Sequence, residues 1–104
     1  MSLLTFEKRG HVAILTLNRP EVLNAINAEM HDELEAAFDA FAAAPDEHVC
    51  MITGAGRAFC AGSDLKAAVA EGRRPYPPHG YAGLIERFDC PKPFIAAVNG
   101  LALG

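Results

Sequence analysis

Between His48 and Lys66 the chain reads HVCMIT, GAGRAFCAG, SDLK: an apolar run, a loop carrying Gly54, Gly56 and Gly62, then Ser63 and Asp64. A glycine loop behind a strand serves two kinds of chemistry. The first is phosphate binding, which fails here because a GxGxxG reading from Gly54 puts Phe59 where a small residue is needed, and no GxxxxGK[ST] can be drawn. The second is presentation of a backbone N–H to a developing oxyanion. Gly62 permits a tight turn, and the Ser63 N–H would then sit near the positive end of a helix beginning at Asp64. An ordinary surface connection between a strand and a helix accounts for the same spacing. Glu71 and Glu86 are the obvious carboxylates for proton transfer, but both stand among charged, surface-type residues, and Asp64 suits an N-cap or a loop brace better than an acid.

Other reactive side chains are poorly placed for a metal. Cys50, Cys60 and Cys90 lack CxxC spacing and lie in or beside apolar runs, and His11, His31, His48 and His79 show no ligand spacing, so free buried thiols and no metal site are expected. The formal charge of −4 and the pI near 5.4 leave no basic field for nucleic acid or an anionic membrane. No run of roughly 18 apolar residues suggests a membrane span, and Met1 opens directly on LLTFEK without a leader pattern, which places the expected location in the cytoplasm.

The elements that would hold the glycine loop follow from periodicity. Leu3 to Lys8 and His11 to Leu17 predict a hairpin turning at Arg9-Gly10. Met30, Leu34, Phe38 and Phe41 recur on one side of a helix over Asn27 to Ala44, with Asn27 as N-cap and Pro45 as its end. His48 to Thr53 and Pro93 to Val98 (PFIAAV) read as strands buried on both faces, which implies an α/β fold with a parallel-type sheet flanked by helices. Arg73 to Gly80 (RRPYPPHG) predicts an irregular excursion that would suit a mobile lid, and Tyr81 to Asp89 a short helix. Residues 1–104 show no repeat and no linker between domains.

Three segments in order, LNRPEVLNAIN, ITGAGRAFCAGSDL and KPFIAAVNGLALG, resemble the enoyl-CoA hydratase/isomerase (crotonase) family along essentially the whole chain. The resemblance implies a partial crotonase (ClpP-like) fold of repeated ββα units, with the chain forming the N-terminal part of one domain. It implies an acyl-CoA thioester substrate, coenzyme A as part of that substrate and no separate cofactor, and a trimer or hexamer for the full-length form. By similarity, Ser63 supplies one backbone donor to the thioester oxygen. Gly104 matches the glycine just before the second donor, so that donor and the glutamates that move protons would lie beyond this sequence. Ala25 and Ala61, Gly62, Ser63, Asp64, Leu65 and Lys66 match positions lining the coenzyme A site, and Arg57 and Lys66 would approach its phosphates. Glu21 replaces a lysine that relatives often place there. DLKAAVAEG, GYAGLIERFD and KPFIAAVNG look most like the crotonobetainyl-CoA (carnitinyl-CoA) hydratase branch.

One expectation is therefore an enzyme domain cut before its second donor, inactive alone; another is a non-catalytic coenzyme A-binding or subunit-interaction module, and a third a remnant without function. In each, an uncovered PFIAAV strand forfeits about 25 cal/mol per Å2 of apolar burial, which predicts marginal stability and a tendency to aggregate.

Overall fold

The structure is a computed structural model and describes residues 3–72 and 74–104. Strands β1 (Leu4–Arg9) and β2 (Val12–Leu17) form the antiparallel hairpin, in register from Arg9 opposite Val12 to Leu4 opposite Leu17. Its turn uses Gly10 at φ +59°, a left-handed backbone that costs glycine little. Helix α1 (Ala28–Ala43) follows, and the Asn27 side chain caps it by accepting the Met30 N–H at 2.8 Å. Strand β3 (Val49–Gly54) lies parallel to β2 and, on its other side, to β5 (Phe94–Ala96), so the main sheet runs β1-β2-β3-β5. Strand β4 (Ala58–Cys60) and helix α2 (Leu65–Glu71) between β3 and β5, and β6 (Leu101–Ala102) after β5, complete the order ββα, ββα, ββ, with β4 and β6 paired as a second parallel sheet.

The core lies between one face of the main sheet and α1. Ala13, Leu15 and Leu17 on β2 alternate inward, and Cys50 and Ile52 on β3 stand in register with Ala13 and Leu15. The helical stripe closes over them: Met30, Leu34, Phe38 and Phe41 are all within 2% of complete burial. Phe94 on β5 finishes the layer, its ring 5.3 Å from both Phe38 and Phe41 at steep angles. At the far end of α1 no basic residue occupies the last turn, and Lys92 supplies the charge instead. Its ammonium donates to the carbonyls of Phe41 (2.7 Å) and Ala44 (2.5 Å).

Three sequence expectations need correction. β3 is half-covered rather than enclosed, with Val49 and Met51 only partly shielded. β5 is an edge strand of three residues, and Ile95 and Val98 are more than half open on average, at 50% and 57%. Tyr81 to Asp89 forms no α-helix beyond a 3-10 turn at Tyr81–Gly83, because Ala82 and Gly83 take left-handed φ of +58° and +65°. The reason is close packing: a Cβ on Gly83 would stand 2.7 Å from the Glu35 Cα. The Arg73 end of the expected excursion lies outside the described residues, and 74–80 is irregular as its prolines require.

Candidate functional site

The glycine loop takes its shape from Asn24, which is fully buried and left-handed at φ +59°. Its carbonyl oxygen accepts from the Arg19 N–H at 2.8 Å, and its amide donates to the carbonyls of Ala55 and Ala58, both at 3.0 Å. From there the chain passes through β4 to Gly62, whose φ of +94° suits glycine alone. A Cβ on Gly62 would also press on the carbonyl oxygens of Gly104 and Leu103, at 3.1 and 3.2 Å. The Leu103 N–H donates to the Cys60 carbonyl at 2.9 Å, so the Leu103-Gly104 segment runs directly beside Gly62.

Ser63 forms an isolated parallel bridge with Ile26. The Gly62 carbonyl accepts from the Ile26 N–H at 2.8 Å and the Asp64 N–H donates to the Ile26 carbonyl at 2.9 Å. In a parallel ladder the bonded groups flank the bridged residue, whose own N–H faces the other way. The Ser63 N–H thus points away from Ile26, and no acceptor among the described residues takes it. Helix α2, seven residues long with Asp64 as its N-cap, begins directly after this group, where the sequence led one to expect a helix start.

Asp64 is the N-cap of α2, accepting from Ala67 N–H at 3.0 Å, and it also pairs with Arg19 at 3.1 Å. The Ala67 N–H, with the Arg19 bond behind it and against some burial, holds the Asp64 carboxyl below the usual range. An ionised brace results, unsuited to donating a proton.

A cavity of about 460 Å3 opens between Ile26 to His31, the first turns of α2 and residues 74–76. Of the residues expected to line a ligand site, Ser63, Asp64 and Leu65 do so. Gly62 is buried beside them, Ala61 is half-buried with its N–H on the Leu23 carbonyl at 3.0 Å, and Ala25 is buried with its carbonyl on the Arg19 guanidinium. Arg57 and Lys66 are exposed and outside the lining, as is Glu21. Glu71 does reach the cavity wall, whereas Glu86 places its carboxylate against Gly80.

Several neighbours of the cavity escaped sequence reasoning. His31 and Tyr76 line it, and Tyr81 stands behind them with its ring 4.8 Å from His31 and 5.4 Å from Tyr76. The Tyr81 hydroxyl lies 3.1 Å from Ser63 Oγ. His31 Nδ1 accepts the Ala82 N–H at 3.0 Å, so the neutral ring carries its proton on Nε2. Burial holds His31 below its ordinary pKa, against Asp32. The available signal was the spacing of four between His31 and Glu35, which flank the apolar stripe of α1 and are both buried.

Beyond the cavity, Glu35, Asp39 and His79 bring ligand-type atoms within 4.8 Å of one another. Their charge is already met by Arg87, whose side chain is 2% exposed and reaches Glu35 at 3.1 Å and Asp39 at 2.8 Å. This is an ion-pair network tying the segment after Gly80 to α1, with His79 bonded to Glu35 at 2.5 Å.

An α/β chain of ββα units that turns one unpaired N–H outward beside a glycine-bearing strand end defines a recognisable class. Residues 7–104 match the model of the enoyl-CoA hydratase/isomerase family, and the chain belongs to that family. It is 44% identical over 105 residues to the probable enoyl-CoA hydratase EchA14 of Mycobacterium tuberculosis, covering 98% of this chain and 40% of that protein. It is 50% identical over 100 residues to the carnitinyl-CoA dehydratase of Proteus mirabilis, covering 92% and 38%. The solved structure of a carnitinyl-CoA dehydratase from Mycobacterium avium 104 superposes on all of this chain and 42% of its own, with a TM-score of 0.89 and 41% identity. The crotonase fold is thereby established, and the chain spans about 40% of the length of the curated relatives it matches. Among the described residues no helix is long and apolar enough to cross a membrane.

Proposed function

We propose that this chain supplies the first oxyanion donor, the Ser63 N–H, and one wall of the thioester cleft in an enoyl-CoA hydratase/isomerase-type enzyme. The supporting observation is the Ile26–Ser63 bridge, which spends the peptide groups on either side of Ser63 and leaves its own N–H turned outward. That Gly104 lies beside Gly62 supports the reading in which the residue following it is the second donor. Two such donors lower the energy of the enolate oxygen formed when water, losing a proton to a base, adds to the β carbon of an α,β-unsaturated thioester. The proton-moving carboxylates belong, on this reading, to a part of the enzyme outside residues 1–104; Asp64 is committed to Ala67 and Arg19.

Coenzyme A is part of the substrate, no further cofactor enters, and the working form is a trimer or hexamer in the cytoplasm. The 50% identity to a carnitinyl-CoA dehydratase supports the branch acting on crotonobetainyl-type thioesters.

Ser63→Pro, made in the protein expressed from its whole natural coding frame, removes the N–H. Hydration of crotonyl-CoA, followed by loss of the conjugated thioester absorbance, is expected to fall about 10²–10³-fold in kcat. An ester in place of the Gly62–Ser63 peptide bond removes the same hydrogen without the ring. A folded variant of either kind with undiminished kcat overturns the reading.

A further inference from the structure

We infer that His31 is a positioning residue of the cleft: its imidazole latches the segment carrying Tyr76 and Tyr81 over the cavity, and does so only while it is neutral. The role in the cleft rests on the reading that the Ser63 N–H receives a thioester oxygen; the latch itself does not.

The Ala82 N–H donates to His31 Nδ1 at 3.0 Å, so that nitrogen must keep its lone pair. A second proton can enter the ring only there, where it turns the acceptor into a donor facing another donor. The bond it would end holds a strained piece of chain. Ala82 stands at φ +58°, a left-handed backbone disfavoured for any residue with a Cβ, and Gly83 follows at +65°. The same ring lies 5.2 Å from Tyr76, which lines the cavity, and 4.8 Å from Tyr81 behind it. Tyr81 in turn reaches Ser63 Oγ at 3.1 Å. One imidazole therefore joins the strained turn, the aromatic side of the cavity and the glycine loop.

The surroundings set the direction in which pH moves the latch. His31 is 8% exposed, and burial lowers its pKa from 6.5 against the neighbouring Asp32. Around the cavity that it lines stand Asp64, Glu71 and Arg74, with Asp64 engaged by Arg19. One turn further along α1, Glu35 is held by Arg87 and His79. His79 ties the same segment to α1 with the opposite sign, because its raised pKa makes the bond to Glu35 strongest in acid. Loosening of the segment as pH falls below 6.5 thus singles out His31, whereas tightening would report His79.

Hydrogen–deuterium exchange of the peptide spanning 76–87, corrected for the intrinsic pH dependence of exchange, tests this on the protein from its whole coding frame. From about pH 7.5 to 5.5, above the ordinary carboxylate range, opening in the wild type is expected to rise about threefold to tenfold. His31→Asn can place its carbonyl oxygen where Nδ1 stands and accept at every pH, so its opening is expected to stay flat. His31→Phe keeps a ring and loses the acceptor; it is expected to open about threefold to tenfold more than wild type at neutral pH, also without a slope. It carries the test if His31→Asn does not fold. A flat or falling wild type, or a slope kept in either folded variant, overturns the latch. Butyryl-CoA at about ten times its calorimetric dissociation constant is expected to slow opening about tenfold, as mass action requires of a ligand that binds only under the closed segment. Binding without slowing overturns the positioning role. Failure of butyryl-CoA to bind at all overturns the cleft reading and that role with it, while the ligand-free slope judges the latch by itself.

Discussion

Two asparagines grip the same loop from opposite sides of the molecule. Asn24, fully buried, donates to Ala58 O at 3.0 Å from the hairpin side; Asn99, exposed, donates to the same oxygen at 3.3 Å from the side of β5 and β6. Asn99 makes more bonds than its counterpart, accepting from Gly54 N–H at 3.1 Å and lying 3.3 Å from the Thr53 hydroxyl, and donating also to the carbonyls of Gly54 and Gly56. The two regions differ in burial as the two asparagines do. Strand β2 and α1 bury their inward apolar stripe almost completely, whereas Ile95, Val98, Leu101 and Leu103 in the last strands are between 44% and 59% exposed. Hydrogen-bond geometry alone therefore does not rank the two regions. Water competes for the bonds of Asn99 and has no access to those of Asn24.

The largest break of this contrast comes from the apolar layer. Phe38→Ala, which empties a site 1% exposed, is expected to cost about 3–5 kcal/mol in denaturant titration. Ile95→Ala, at 50% exposure, should cost less than about 1 kcal/mol. Equal losses would mean that β5 is as integral to the core as α1.

Next come the asparagines themselves. Asn24→Ala takes the side-chain partner from the Ala55 carbonyl and the Arg19 N–H and places alanine at φ +59°, for an expected loss of about 3 kcal/mol. Asn99→Ala should lose about 1 kcal/mol or less. A reversal in the two unfolding free energies would break the comparison.

The smallest effect lies in pH. The Glu35 hydrogen bond, helped by Asp89 and opposed by burial and Arg87, raises the pKa of His79 above 6.5. Its contribution to stability is complete below 6.5 and fades as pH climbs through the raised value. His31, lowered by burial, behaves oppositely: its contribution is complete above 6.5 and fades as pH falls through the lowered value. Melting midpoints across pH 4.5 to 8.5, as a working range about the ordinary histidine pKa, should show His79→Ala losing most on the acid side and His31→Ala on the neutral side. Parallel curves for both variants would remove either histidine's claim to a distinct charge state.

Legibility in the sequence followed the range of the contacts. Helix α1 was readable because its cap, its stripe and its terminating Pro45 all lie within twenty residues. The turn at Gly62 and the Asp64 cap of α2 were readable because they lie within three residues of one another. The irregular course after Tyr81 was not, since it is set by Gly83 meeting the Glu35 backbone and by Arg87, whose Nε donates to the Gly83 carbonyl at 2.8 Å while its guanidinium reaches α1. Local periodicity holds no trace of a partner some fifty positions away. The same distance hid His31 from Ala82, and Tyr81, 18 positions from Ser63, is likewise beyond the reach of local periodicity.

Lys92 adds a matter of timing. Its ammonium closes the last carbonyls of a helix 48 positions earlier in the chain. A ribosome adding roughly 5–20 residues per second finishes that helix some seconds before its closing charge exists. Through that interval the end of α1 has only the local N–H groups of Ala44 and Glu47 on the carbonyls of Phe41 and Ala44, and Lys92 then arrives as a clasp that records the completion of the strand it precedes.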